Sequence, residues 1–112
     1  MDAKEFAARW KSEKDSTLRL LREGQGLAAQ RIREIGLSTD QQAKLWAAMD
    51  VALTDVFYTL LLGLDGSAGI GGIQEAYTIR DEQGNTLAGN GELEAAAYEQ
   101  FHGLGSRVRY AD

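Results

Sequence analysis

The strongest constraint on the fold is one long apolar segment in the middle of the chain, residues 38–62. Ser38 with Gln41, or Thr39 with Gln42, has the spacing of a capping box, which satisfies the first backbone N–H groups of a helix. Apolar side chains then recur every three or four positions, the period of one helix face. We expect this helix to form the spine of the core through Leu45, Met49, Ala52, Leu53, Val56 and Leu60, with Trp46 and Phe57 on the flank.

The same helix carries apolar residues on its other side. Val51, Tyr58 and Leu62 fall nearly opposite the main face. A helix that is apolar on two sides is either enclosed within the core or in contact with another chain. Burial against the N-terminal helices and a homodimer through Val51, Tyr58 and Leu62 are the two interpretations of this pattern.

Shorter helices are predicted before this segment. Ser16 or Thr17 is expected to cap a second helix, and Gly24 to break it, because glycine costs about 1 kcal/mol in a helix interior. Gly36 is expected to end the last of these helices. The first helix is predicted over residues 2–15, with one apolar face made of Ala3, Phe6, Ala7 and Trp10.

The period of the pattern changes in the C-terminal half. Residues 63–72 form a glycine-rich connector, residues 73–80 alternate as a strand does, and residues 81–85 form a turn at Gly84 before a second strand over 86–88. A last helix is predicted from Asn90 or Gly91 to His102, and the alternation at residues 107–110 allows a short third strand. The predicted fold class is α+β: a mostly helical single domain over residues 1–112, with a long central helix, one β-hairpin and a C-terminal helix.

Composition limits where the protein acts and what it binds. The chain has no cysteine, which excludes disulfides, thiolate nucleophiles and cysteine metal sites. Charged residues at the N-terminus predict no secretory signal, and the apolar stretch at residues 56–64 is shorter than a membrane span. We therefore expect a cytoplasmic protein without membrane association.

Charge is distributed unevenly along the chain. The net charge is −5; residues 1–36 carry eight Lys or Arg against six Asp or Glu, and residues 37–112 carry four against eleven. An acidic chain repels the phosphates of nucleic acids. The distribution favours a basic protein partner over nucleic acid.

The chain shows no catalytic motif. The glycine-rich connector lacks the lysine of a phosphate-binding loop and precedes a strand rather than a helix. His102 is the only histidine; it has no serine in a nucleophile context and no second metal ligand at a telling spacing, and we expect it to stabilise the end of its helix. We predict no enzyme activity, no metal and no cofactor.

One part of the sequence is typical of a protein-binding surface. Carboxylates in the C-terminal region alternate with tyrosines, and such a surface attracts a basic protein by charge and anchors it by an aromatic ring. The candidate contact residues are Asp81, Glu82, Glu94, Glu99, Tyr98 and Tyr58.

The segment from residue 57 to residue 102 resembles small bacterial proteins of the immunity-protein type that accompany toxins. The resemblance lies in Phe57-Tyr58, the run Leu60-Leu61-Leu62-Gly63-Leu64-Asp65-Gly66, Ile70-Gly71-Gly72, Tyr77, Asp81 with Gly84-Asn85, Glu92-Leu93-Glu94, Tyr98 and Phe101-His102. It implies an inhibitor that occludes a basic toxin domain, and it assigns no role to any single residue.

Two other functions fit the sequence. A homo-oligomeric structural or adaptor protein would use the second apolar side of the long helix. A small-ligand sensor would use Asp65 and the glycine-rich connector.

Overall fold

The computed structural model describes residues 1–103. Its elements, in chain order, are α1 (Ala3–Glu23), α2 (Leu27–Glu34), α3 (Thr39–Leu64), β1 (Ile79–Arg80), β2 (Thr86–Ala88) and α4 (Glu92–Phe101). The α+β, mostly helical class is confirmed, with its long helix, its hairpin and its C-terminal helix. The third strand predicted at residues 107–110 lies outside the described residues.

The N-terminal segment is one continuous helix, α1, where two helices were expected. The predicted caps Ser16 and Thr17 lie inside α1. Either residue costs only about 0.5 kcal/mol in a helix interior, which packing of α1 on α3 and α4 offsets. The predicted break at Gly24 is confirmed, since Gly24 ends α1.

The start of α3 is the one predicted from the capping box. The Ser38 hydroxyl accepts the N–H of Gln41 at 3.2 Å, and the Gln41 side chain accepts the N–H of Ser38 at 2.9 Å. The helix then continues to Leu64, so the first two residues of the predicted glycine-rich connector belong to α3.

The hairpin is shorter than predicted. β1 and β2 pair antiparallel, with Ile79 opposite Ala88, whereas residues 73–78 form no strand. Gly71 and Gly72 have positive φ angles of 62° and 83° and close a tight turn between Ile70 and Ile73. The chain reverses there, and residues 74–78 have no partner strand.

The core lies where α1, α3, β2 and α4 meet, and α3 supplies Leu61 to it, with Phe57, Tyr58 and Leu64 partly buried against it. The predicted spine is wrong at three of its six residues: Ala52, Val56 and Leu60 are exposed, whereas Leu45, Met49 and Leu53 are half-buried. The large α3 side chain that is fully buried is Leu61. Small residues on α1 and α4 allow those two helices to pack closely, so only one edge of α3 is covered. The buried cluster consists of Ala3, Ala7, Leu61, Ala88, Leu93, Ala96, Ala97 and Phe101.

Candidate functional site

The structure brings three of the six predicted contact residues together. Tyr58 on α3 and Glu94 and Tyr98 on α4 lie on one side of the molecule around His102. Asp81 and Glu82 lie in the hairpin turn. Glu99 points to another side of α4, beside Asp2 and Glu92.

The aromatic–acidic surface, defined here as Tyr58, Glu94, Tyr98 and His102, is built by ring contacts between α3 and α4. The His102 ring packs edge-on against Tyr58, with ring centres 4.6 Å apart, and lies 5.9 Å from the ring of Tyr98. Tyr98 is nevertheless 56% exposed. The surface therefore presents the Tyr98 ring, which contacts His102 on one side and solvent on the other.

Burial and a neighbouring carboxylate keep the Tyr58 phenol of this surface neutral. Desolvation raises the pKa of Tyr58 above its ordinary value, and the Glu94 carboxylate and Tyr98 add to the effect. Glu94 also accepts a hydrogen bond from the Ser67 hydroxyl at 2.7 Å. The phenol of Tyr58 remains a neutral donor at physiological pH, next to an oriented carboxylate.

The hairpin turn fixes Asp81 by local hydrogen bonds. Its Oδ1 accepts the backbone N–H of Gln83 at 3.0 Å and of Asn85 at 2.9 Å, and its Oδ2 accepts the side-chain amide of Asn85 at 3.0 Å. The Met1 amino group lies 3.4 Å from the same Oδ2. Asp81 thus has a structural role in the turn, and its neighbour Glu82 is exposed.

We expect Asp81 to titrate far below an ordinary aspartate. The side-chain hydrogen bond from Asn85 is the largest cause; desolvation opposes it, and with the backbone donors and the Met1 amino group the hydrogen bonds lower the pKa from 3.8 to about 2. A carboxylate with a lowered pKa stabilises the turn above the unfolded-state pKa, and this contribution is lost as the pH falls from about 4 through about 2. NMR titration of the side-chain carboxyl carbon should give a midpoint near 2, and Asn85→Ala should move it upward. A midpoint at 3.8 in the unsubstituted chain would contradict the assignment.

Asp65 holds the start of α4. Its Oδ1 accepts the backbone N–H groups of Gly89 at 2.6 Å and Gly91 at 3.2 Å, and its Oδ2 accepts that of Glu94 at 2.9 Å. Gly91, the N-cap residue of α4, has no side chain to cap the helix, so the carboxylate that follows α3 does so instead. In the ligand-sensor hypothesis Asp65 would bind the ligand, but its carboxylate already accepts hydrogen bonds from three backbone N–H groups.

A cluster of opposite charges joins α1 to α3. Lys14 is buried and pairs with Asp50 of α3 and, at 3.5 Å, with Asp15; Lys11 pairs with Asp15 at 2.6 Å. The aliphatic stems of the two lysines fill space that a larger apolar core would occupy. Sequence reasoning missed this cluster because Lys14 and Asp50 lie far apart in the chain.

The exposed side of α3 differs from the contact surface predicted through Val51, Tyr58 and Leu62, because only Val51 of these three is exposed. We call this exposed side the α3 stripe. Its exposed positions are adjacent pairs of residues that recur every four residues along the helix, and two of these residues are charged. It consists of Ala43, Lys44, Ala47, Ala48, Val51, Ala52, Asp55, Val56, Thr59 and Leu60. The recurrence of alanine on one side of the predicted helix was the available signal.

Two grooves border this stripe. One, of about 490 Å³, lies between the C-terminal half of α3 and the turn at Ile70, with Val56 and Leu60 in its wall. The other, of about 260 Å³, runs from Val51 to His102 past the lysine–aspartate cluster. Asp55 lines both grooves, so the stripe and the aromatic–acidic surface adjoin on α3.

Among residues 1–103, α3 is the one helix whose length and composition would allow it to cross a membrane, with a mean hydropathy of 1.5 over its most apolar window. Within the same residues, no group of three or more histidine or acidic side chains could hold a metal ion. Comparison with known protein families, curated proteins and solved structures found no match to the chain.

Proposed function

We propose that the chain is a non-catalytic protein-binding domain, an immunity or inhibitor protein that occludes a basic toxin domain. One observation carries this proposal. Tyr98 is exposed while His102 packs against its ring, next to the oriented carboxylate of Glu94. A braced aromatic ring beside a carboxylate can bury area against a partner with little loss of side-chain freedom.

Net charge supports the same proposal. The chain carries 17 acidic against 12 basic residues, and the excess of acid lies after residue 36. Complementary charge speeds encounter with a basic protein, whereas the buried aromatic contact governs how long the complex lasts. In this account Tyr58, Glu94 and Tyr98 touch the partner, and Asp81, Glu82 and Glu99 add to the attracting field.

Affinity capture of the tagged chain from its native host tests the proposal. We expect a stoichiometric basic protein that is released as salt rises. For the recovered protein, Glu94→Lys combined with Tyr98→Ala should slow association and hasten dissociation, raising Kd by roughly 100-fold. The matched control is Glu34→Lys with Leu20→Ala, which removes an exposed acid and an exposed apolar side chain from other surfaces.

The two variants separate binding from folding. Both should melt within a few degrees of the unsubstituted chain, because all four positions are exposed. Equal affinity for the two variants would rule out the aromatic–acidic surface as the contact. Recovery of no basic protein at low salt would contradict the inhibitor function itself.

A further inference from the structure

We infer that the α3 stripe is an interface between two copies of this chain, packed antiparallel about a two-fold axis. The stripe is a long unpartnered helix face in which Val51 is 63% exposed and Val56 59% exposed. Leaving such a row of apolar side chains in water is unfavourable, and a surface of this kind marks a contact with another molecule. This interface adjoins the aromatic–acidic surface but does not depend on it.

The charges of the stripe identify the occupant. Its two charged side chains, Lys44 and Asp55, lie about three helical turns or roughly 17 Å apart, and Lys44 also pairs at 3.4 Å with the exposed Asp40 one turn earlier in α3. When two copies of α3 run antiparallel, Lys44 of each copy faces Asp55 of the other. The stripe therefore supplies its own complementary charges, as an isologous interface must.

The side chains between these charges have the spacing and the size that two closely packed antiparallel helices need. Lys44, Ala48, Val51 and Asp55 follow one another at intervals of four, three and four residues, the repeat of a coiled-coil seam. In the register set by the charges, Ala48 of one copy faces Val51 of the other. A small residue opposite a larger one allows the two backbones to approach closely.

The neighbouring groove extends the same contact. In this register the beginning of α3 of the second copy lies at the level of Leu60, over the groove that Ile70 borders. Ile70 and Ile73 are 43% and 62% exposed. The contact then covers these two side chains as well as the stripe.

A second copy fits the stripe better than a bilayer does. A membrane would surround the charges of Lys44 and Asp55 with hydrocarbon, which is unfavourable. The other side of α3 is also held to α1 by the Lys14–Asp50 ion pair. A second copy pairs both stripe charges and leaves the packing of α1, α3 and α4 intact.

Sedimentation equilibrium of the full chain over a range of concentrations tests the inference. We expect a reversible dimer. Val51→Asp and Ala48→Glu, two substitutions at exposed positions, should each weaken the dimer by more than about 100-fold, because they place two like charges at its centre. Leu27→Asp, at a position 67% exposed on α2, is the matched control and should leave the dimer intact.

A charge exchange tests the register. Lys44→Glu and Asp55→Lys should each weaken the dimer roughly tenfold, because each places like charges at both ends of the interface. The double variant restores opposite charges and should dimerise as the unsubstituted chain does. If the double variant stays as weak as the single ones, the antiparallel register is wrong.

Three outcomes would overturn the inference as a whole. They are a monomer at every concentration, a dimer insensitive to Val51→Asp and Ala48→Glu, and a monomer that co-sediments with vesicles of phosphatidylcholine and phosphatidylglycerol. Failure here is distinct from failure of the proposed function. The Glu94→Lys, Tyr98→Ala variant should remain a dimer while it loses the basic partner.

Discussion

Replacing Asp65 with alanine is expected to lower the free energy of unfolding by about 4 kcal/mol, because three backbone donors lose a charged acceptor. These donors are the N–H groups of Gly89, Gly91 and Glu94, and the carboxylate is 8% exposed. The cost exceeds that of an ordinary lost cap, about 1 kcal/mol. The difference arises because this cap also ties the hairpin and α4 to the end of α3. Chemical denaturation monitored by circular dichroism measures the effect.

Two further variants show whether the effect belongs to this carboxylate. Asp65→Asn keeps the shape and one acceptor oxygen, and should lie between the alanine variant and the unsubstituted chain. Asp81→Ala removes an acceptor of two backbone N–H groups in the hairpin turn and should cost much less than Asp65→Ala. Similar losses for Asp65→Ala and Asp81→Ala would show that Asp65 is only a local turn residue.

Replacing Lys14 with alanine is the second large effect we expect, a loss of about 3 kcal/mol in the free energy of unfolding. The Lys14 side chain is 2% exposed, and its removal takes away the ammonium group that pairs with both Asp15 and Asp50, although Lys11 still pairs with Asp15. The packing of the lysine stem against its neighbours is lost as well. Thermal and chemical unfolding both measure the change.

Two other variants show whether the loss of stability in Lys14→Ala comes from breaking its ion pair. Lys14→Met with Asp50→Leu removes both charges and keeps an apolar side chain at each position, and it should be more stable than Lys14→Ala, because the two charges of the pair are removed together. Arg31→Ala removes one partner of an exposed ion pair on α2 and should cost under about 1 kcal/mol. If Lys14→Ala is as mild as Arg31→Ala, the buried pair does not hold α1 to α3.

Local sequence signals predicted the elements whose causes are local. The capping box at Ser38 and Gln41 marks the start of α3, because both hydrogen bonds lie within four residues. The Leu93, Ala97 and Phe101 spacing identifies the buried side of α4, and all three are buried. Gly84, with a φ angle of 85°, marks the hairpin turn.

Periodicity could not decide which side of α3 is covered. It shows which residues share a face, but burial depends on whether another element packs there. The predicted spine through Val56 and Leu60 is exposed because α1 and α4, rich in alanine at their contact, meet each other at the edge of α3 near Leu61. The strand predicted over residues 73–80 forms only at residues 79–80 for a related reason, since alternation supplies no partner strand.

The candidate site was predictable by residue type but not by arrangement. Tyrosines among carboxylates suggested a protein-binding surface, and the sequence supplied Tyr58, Glu94 and Tyr98. Their convergence depends on the contact of α3 with α4 and on the packing of His102 against both tyrosines. The Asp65 cap and the Lys14–Asp50 pair are equally non-local and left no pattern in the chain.

The most direct test of the inhibitor function is to titrate the activity of the captured basic protein with the purified chain. The account predicts that activity falls in proportion to the added chain and disappears at one chain per partner. The Glu94→Lys, Tyr98→Ala variant should need a large excess to reach the same inhibition, and the Glu34→Lys, Leu20→Ala control should match the unsubstituted chain. A tight stoichiometric complex whose basic component keeps full activity would contradict the account.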